Sequence, residues 1–205
     1  MKELDIKITF NEMVLGSQSN NKEVHTEYIA SKAPDAQSKT EEIAAIGLEE
    51  YEDKQMTVFP RDDDGDPMFW DYQIKGFFKD SCSALQRCKG EKFSKHSCAL
   101  KAYKKVIDGC IFPAPRKIKI DMHGGKIDKM ERPLRASTAQ GERIALATSE
   151  TIPAGSTINF KVICLSDSHV AAVKEWLDYG KFKGFGQWRN AGWGRFDYEL
   201  TEETC

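Results

Sequence analysis

The sequence predicts an α+β fold of the split βαβ, ferredoxin-like type, an antiparallel sheet with flanking helices. Three observations carry that expectation. Residues 2–10 alternate, with Leu4, Ile6, Ile8 and Phe10 on one face. An amphipathic helix follows in the middle of the chain. The last third then reads strand, helix, strand. Two strand–helix units of this kind are what the split βαβ topology requires.

The elements follow in chain order. The alternation over 2–10 marks a half-buried strand, and the polar tract GSQSNNKEV ends it. Asn21 can cap a helix running through Tyr28 and Ile29, stopped by Pro34. Residues 21–53 form an acidic insertion. The run MTVFPRDDDGDPMFW reads as a hairpin about an Asp/Gly turn. Ile74, Phe77, Phe78 and Leu85 then fall at helical spacing, giving a helix over 73–88. Leu100, Tyr103, Val106 and Ile107 mark another. Ile118 and Ile120 end a strand over 111–121, and 126–152 is a hairpin candidate whose second arm alternates. TINFKVICL is a strand, Asp167 or Ser168 caps a helix over 168–179, Gly180 ends it, and RFDYEL closes the sheet. The expectation is a four-stranded sheet in one domain over 1–205.

Composition bounds the function classes. At 205 residues, 40% hydrophobic and 30% charged, the chain has the balance of a globular protein. Its first residues lack the apolar core of a signal peptide and no run is long enough to span a membrane, so the expected setting is the cytoplasm with no membrane partner. The six cysteines are then expected as reduced thiols. A formal net charge of −2 excludes coating nucleic acid by bulk electrostatics. The distribution is uneven, however: acids crowd 41–66, whereas 181–195 holds Lys181, Lys183, Arg189 and Arg195 with no acid among them.

That basic stretch contains GFGQWRNAGWGRF, residues 184–196, with glycines at Gly184, Gly186, Gly192 and Gly194. Glycine lets backbone approach a ligand closely, and exposed amides there can cradle phosphate. Lys183, Arg189 and Arg195 add charge, while Phe185, Trp188 and Trp193 suit stacking on bases. The alternative is a tight connection whose aromatics cover the core. It is not the dinucleotide fingerprint, which follows a strand and opens a helix. Lys75 and Lys79 on the middle helix, and Arg132, Arg135 and Arg143 on the hairpin, are further candidate phosphate contacts. The glycine-rich segment thus points to nucleic acid or another phosphate-bearing ligand.

The string G-F-G-x5-G-W-G-R-F before a terminal strand resembles the glycine-rich signature of the RAMP superfamily, RNA-binding backbone and processing proteins of CRISPR effector complexes. In the same order, VFPRDDDGDPMFWDYQIKGFFK resembles the strand, Asp-Gly-Pro turn and helix of type III backbone subunits, with Ile74, Lys75, Gly76 and Lys79 in a Leu/Ile-Lys-Gly-x-x-Arg/Lys motif. VLGSQSN resembles that family's glycine-containing loop, and ERIALATSETIPAGSTINFKV its thumb hairpin and next strand. The resemblance implies an RNA-recognition-like fold, single-stranded RNA as partner and head-to-tail homo-oligomers. It also marks a departure. Relatives cut RNA with an aspartate where this chain has Gln55, with Asp53 two residues earlier, so no catalytic residue is assigned. The whole also resembles small phage and prophage proteins, which implies a solitary relative in a bacterial host's cytoplasm.

Other constellations are weaker. Cys82, Cys88, His96 and Cys98 have no compact zinc spacing, and DDDGDP lacks the distal glutamate of a calcium loop, so no metal or cofactor is expected. Single histidines (His25, His123, His169) form no nucleophile motif. The leading expectation is a non-catalytic binder of single-stranded RNA or other nucleic acid. Two alternatives stand beside it: a phage anti-defence protein that blocks a host defence complex or sequesters a nucleotide signal, and an RNA endonuclease.

Overall fold

The computed structural model describes residues 1–20, 56–89, 92–138 and 141–204. The helix expected after Asn21, the acidic insertion, and the positions of Asp53 and Gln55 lie outside the described residues. The chain divides into two compact units. One comprises Met1–Val14, Pro60–Lys126 and Ile152–Cys205, the other Leu15–Phe59 and Ile127–Thr151.

The first unit is built on β1 (Lys2–Phe10), whose Leu4, Ile6, Ile8 and Phe10 are buried as the alternation requires. In chain order follow β5 (Met68–Trp70), α1 (Asp71–Cys88), α2 (Lys95–Ala99), α3 (Tyr103–Cys110), β6 (Ile111–Ala114), β7 (Lys117–Asp121), β10 (Thr157–Cys164), α4 (Asp167–Lys183) and β11 (Phe196–Thr204). All pairings in this sheet are antiparallel: β1 lies between β10 and β11, with Ile6 opposite both Phe160 and Leu200. The order β11-β1-β10-β7 is that of a ferredoxin-like sheet, extended by β5 on β7.

The sheet has six strands, not four. β6 and β7 both pair with β10, and Ala114 stands opposite Lys161 while Ile120 stands opposite Ile158. The strand thus holds three extra residues against its partner, a bulge between two short ladders where one strand is expected. Within MTVFPRDDDGDPMFW, a bridge joins Arg61 to Pro67 around the turn. Thr57–Val58 pairs elsewhere, so the expected hairpin is only a turn. The Asp62 carboxylate organises it, accepting from the amides of Asp64 and Asp66 at 3.0 and 2.8 Å.

α1 buries Ile74, Phe77, Phe78, Ser81, Cys82 and Leu85, the face its periodicity marks. α4 starts one residue earlier than expected, with Ser166 as its cap: the Ser166 hydroxyl accepts from the Ser168 amide at 3.4 Å. It also runs past Gly180. That glycine is interior because a Cβ there would lie 2.2 Å from the Phe196 ring and 2.7 Å from Phe77. Closeness of packing, rather than helix termination, explains it. The Glu175 carboxylate ties α4 to α2, accepting from the amides of His96 and Ser97, each at 2.8 Å, and from the Ser97 hydroxyl at 2.7 Å.

The second unit holds the expected hairpin as β8 (Asp128–Thr138) and β9 (Gly141–Ile152), paired from Asp128 opposite Thr151 to Thr138 opposite Gly141. β2 (Val14–Leu15), β4 (Thr57–Val58) and β3 (Gln18–Ser19) complete its sheet in the order β2-β9-β4-β3. Gly16 is required here: a Cβ would lie 2.5 Å from the Val58 carbonyl carbon.

Candidate functional site

The glycine-rich loop runs from the end of α4 into β11. Gly184 caps the helix with φ +82, its amide donating to the Gly180 carbonyl at 2.8 Å. The chain turns through Gly186, Trp188 and a 3-10 turn over Arg189–Ala191 before returning at Gly194. The two ends touch. Phe185 N–H donates to the Gly194 carbonyl at 2.9 Å, and Gly194 N–H donates to the Met13 carbonyl at 2.9 Å. A Cβ at Gly184 would sit 2.3 Å from the Trp193 carbonyl oxygen, and one at Gly194 only 1.9 Å from that of Phe185. These two glycines exist so that the loop can close on itself.

Phe185 takes a different role from the one expected of it. It is 4% exposed, and its ring meets Phe69 edge-on at 4.7 Å and Phe77 at 5.7 Å. Phe10 and Phe196 continue the cluster. A ring sunk this far cannot stack on a base, so Phe185 anchors the loop to the core. Trp188, held at φ +51, and Trp193 are half-buried. They remain the loop's aromatic surface.

The loop's cations are oriented by neighbours. Arg189 Nη1 donates to Asp80 Oδ2 of α1 at 2.7 Å, Lys183 Nζ to Asn190 Oδ1 at 2.5 Å, and Arg195 Nε to the Phe182 carbonyl at 3.1 Å. On α1, Lys79 pairs with Asp108 at 2.6 Å, while Lys75 donates to the Asp108 carbonyl at 3.2 Å and lies over the Phe112 ring at 4.9 Å. The Arg189–Asp80 pair therefore joins the loop to the helix that carries Lys75 and Lys79. Arg132, Arg135 and Arg143 belong to the other unit. Arg132 is exposed and stands opposite Ala147, while Arg135 and Arg143 pair with Ile144 and Ala136 in the ladder.

The open face of the first sheet offers a contrast. RNA-recognition sheets stack bases on aromatic residues of their central strands, but here those positions are Glu3, Asp5, Lys7, Asn159 and Lys161. Lys161 Nζ lies 2.5 Å from Glu3 and 3.4 Å from Asp5. Glu3, Asp5 and Glu203 carboxylates come within 4.8 Å of one another, and the Lys161 ammonium already pairs with two of them. A groove of about 580 Å³ crosses this face along Asp5, Lys7, Pro115, Asn159, Lys161 and Glu199. Its charges are mixed, so it does not select phosphate.

Among the described residues, Cys82, Cys88, His96 and Cys98 do not converge as a zinc set. Cys82 is buried with its thiol directed to the Ser97 carbonyl, and Cys98 faces that of Leu85. Burial pushes the Cys82 thiol up to about 11, the behaviour of an inert core residue. Although burial pulls the other way, the amides of Asp66 and Asp64 and the charges of Lys119 and Lys117 hold the Asp62 carboxyl below its usual range. No helix among the described residues is long and apolar enough to cross a membrane.

One exposed feature was not singled out in the sequence. Trp70 and Tyr72 stack at 13° with centroids 6.2 Å apart, and the Arg116 guanidinium lies 5.8 Å over the Trp70 ring. Two aromatics separated by a single residue straddle the β5–α1 junction, a spacing that neither strand nor helix periodicity flags.

No protein-family model and no curated protein matches the sequence. Solved structures do. The chain is similar to a chain of the type III-B Cmr-beta structure bound to cognate target RNA, with a TM-score of 0.53 and 12% identity over 98% of this chain. It spans 60% of that relative's length. It is likewise similar to a chain of a type IV-B CRISPR complex, with a TM-score of 0.50 and 11% identity over 97% of this chain and 90% of that one. At such identities the likeness is one of fold: this chain shares the fold of those CRISPR-complex chains, an α+β arrangement with an antiparallel sheet and flanking helices.

Proposed function

We propose that this protein is a non-catalytic binder of single-stranded RNA, acting as RAMP backbone subunits do, with the glycine-rich loop and the adjoining face of α1 as the binding surface. The observation that carries this reading is the loop itself. A self-closed glycine frame anchored in the core by Phe185 holds Lys183, Arg189 and Arg195, with Trp188 and Trp193, before the last strand of a ferredoxin-like sheet. Cations and aromatics together suit single strands, whose bases stack and whose phosphates pair. The second unit's hairpin, through Arg132, Arg135 and Arg143, is a further contact surface, and head-to-tail self-association belongs to the same reading. Gln55 at the position where relatives carry aspartate supports binding without cleavage, since a carboxamide neither ionises to act as a base nor binds metal well.

The test is fluorescence anisotropy of a labelled single-stranded RNA titrated with wild-type protein from 50 to 300 mM KCl, with incubation gels for cleavage. Saturable binding that weakens with salt and leaves the RNA intact supports the reading. A well-folded protein that fails to bind at 50 mM salt refutes it.

The open face, where acids outnumber Lys7 and Lys161, favours a second reading, an anti-defence protein that engages a host complex through Glu3, Asp5, Asp197, Glu199 and Glu203. Loss of such an interaction on charge reversal of Glu199 and Asp197, with RNA binding unchanged, distinguishes it from the first.

A further inference from the structure

We propose that Trp70, Tyr72 and Arg116 form a stacking site for one unpaired base of a bound RNA strand, at the N-terminal end of α1. The inference rests on the RNA-binding reading and adds to it a contact that no sequence signature marks.

The arrangement is specific. Trp70 ends β5 opposite Lys117 in the β5–β7 ladder, and Tyr72 is the second residue of α1. The backbone between them is fixed from two sides. Trp70 N–H donates to Gln73 Oε1 at 2.8 Å, and Asp71 N–H to the Arg116 carbonyl at 3.0 Å. Trp70 is half-buried, and Tyr72 covers it from the solvent side. Tyr72 is 56% exposed, and the Arg116 side chain is 73% exposed. The core draws little from the Tyr72 ring, and a pre-formed near-parallel aromatic pair beside a guanidinium is a surface that a planar ring covers well.

Charge selects the occupant. The Asp71 carboxylate lies 3.5 Å from Arg116 Nη1, so the cluster is close to neutral and does not by itself attract a free anion. A nucleobase, planar and uncharged, matches it, and its phosphates need cations nearby. Those are supplied along one face of α1, where Lys75 and Lys79 follow Tyr72 at spacings of three and seven residues. At roughly 1.5 Å per residue, Tyr72 and Lys79 are about 10 Å apart along the helix, a distance that a few nucleotides bridge. Beyond Lys79, Asp80 makes the ion pair with Arg189 of the loop. Stack, lysines and loop thus lie in sequence along one helix, a track for a single strand.

The experiment uses a labelled 12-nucleotide oligo(A) RNA, anisotropy at several KCl concentrations, and tryptophan emission in the same titrations. Tyr72→Ala is expected to weaken binding about 5- to 150-fold, the range for loss of one stacked base, with an unchanged salt slope. It should also diminish RNA-induced quenching of tryptophan emission. Tyr72→Phe, which keeps the ring, should bind as wild type. Tyr72→Leu, which keeps apolar bulk without the ring, should bind like Tyr72→Ala, and the thermal melts of all three should match wild type because the side chain is exposed. If Tyr72→Ala and Tyr72→Leu bind as wild type while Arg189→Ala weakens binding, the stacking site is refuted and RNA binding through the loop stands. If folded wild type shows no binding, both readings fall together.

Discussion

Gly194→Ala separates the loop's architecture from its ligand chemistry. Gly194 has φ +73, and an added Cβ would lie 1.9 Å from the Phe185 carbonyl oxygen and 2.9 Å from its carbon. The left-handed backbone alone costs a non-glycine residue about 1–2 kcal/mol. Overpacking against backbone that cannot rotate away adds roughly 1–3 kcal/mol. The sum is about 2–5 kcal/mol, and at about 2–4 °C per kcal/mol for a chain of this size the melting temperature falls by roughly 5–20 °C. Gly65→Ala is the control, because φ is +87 there and nothing lies within 4 Å of the added methyl. Its strain is partly offset by reduced freedom of the unfolded chain, leaving about 1 kcal/mol. Gly184→Ala, whose Cβ would meet the Trp193 carbonyl oxygen at 2.3 Å, should behave like Gly194→Ala. Circular-dichroism melts of the three variants decide the matter. A Gly194→Ala melt within about 2 °C of Gly65→Ala would refute the close-packed loop, since the steric contribution would have vanished.

Two further outcomes follow from buried groups. Burial pushes the Cys164 thiol up to about 12 and that of Cys82 up to about 11. In the unfolded chain such thiols ionise near 9, so their contribution to stability is complete below pH 9 and is lost as pH rises from there through about 11–12. The urea midpoint should decline over that range, and Cys164→Ala should show a shallower decline; parallel declines would contradict this. Glu175→Ala leaves the His96 and Ser97 amides and the Ser97 hydroxyl without their acceptor, which should cost about 2–4 kcal/mol in urea unfolding, whereas a loss below about 1 kcal/mol would show that α2 re-caps itself.

Periodicity made the main sheet legible wherever a strand or helix has one buried face. Leu4 to Phe10 alternate, and Ile74 to Leu85 recur at helical spacing, so the burial follows directly from the pattern. Where sequence reading failed, side chains had long-range reasons. Gly180 resembles a helix stop until Phe196 and Phe77 are placed against it. Phe185 resembles a base-stacking aromatic until Phe69 and Phe77 surround it. No local pattern records which rings meet across 108 residues of chain. Likewise the bulge that divides β6 from β7 depends on register against β10, which strand propensity does not encode. The loop's glycines were legible as a site of close backbone approach, but the backbone they approach is the loop's own.

That self-closure leaves Arg189 as the residue on which ligand chemistry turns, and its partner provides a test that works by gain. Asp80 Oδ2 holds Arg189 Nη1 at 2.7 Å, with the two side chains 46% and 29% exposed. A partly exposed pair of this kind contributes about 0–1 kcal/mol, so it is easily given up for a phosphate, yet Asp80 competes with any phosphate that Arg189 reaches. Asp80→Asn should therefore strengthen RNA binding about 2- to 5-fold at 100 mM KCl and steepen the salt dependence by roughly 0.7 in the log–log slope, the increment for one more phosphate neutralised on a single strand. Arg189→Ala should do the reverse. The double variant separates mechanism from net charge. If Asp80 acts by restraining Arg189, then adding Asp80→Asn to Arg189→Ala changes little. If it acts only as a repulsive charge, the gain persists in that background. An Asp80→Asn protein that melts like wild type but binds RNA no tighter would show that Arg189 does not reach phosphate, because releasing a competing carboxylate cannot leave a real phosphate contact unaffected.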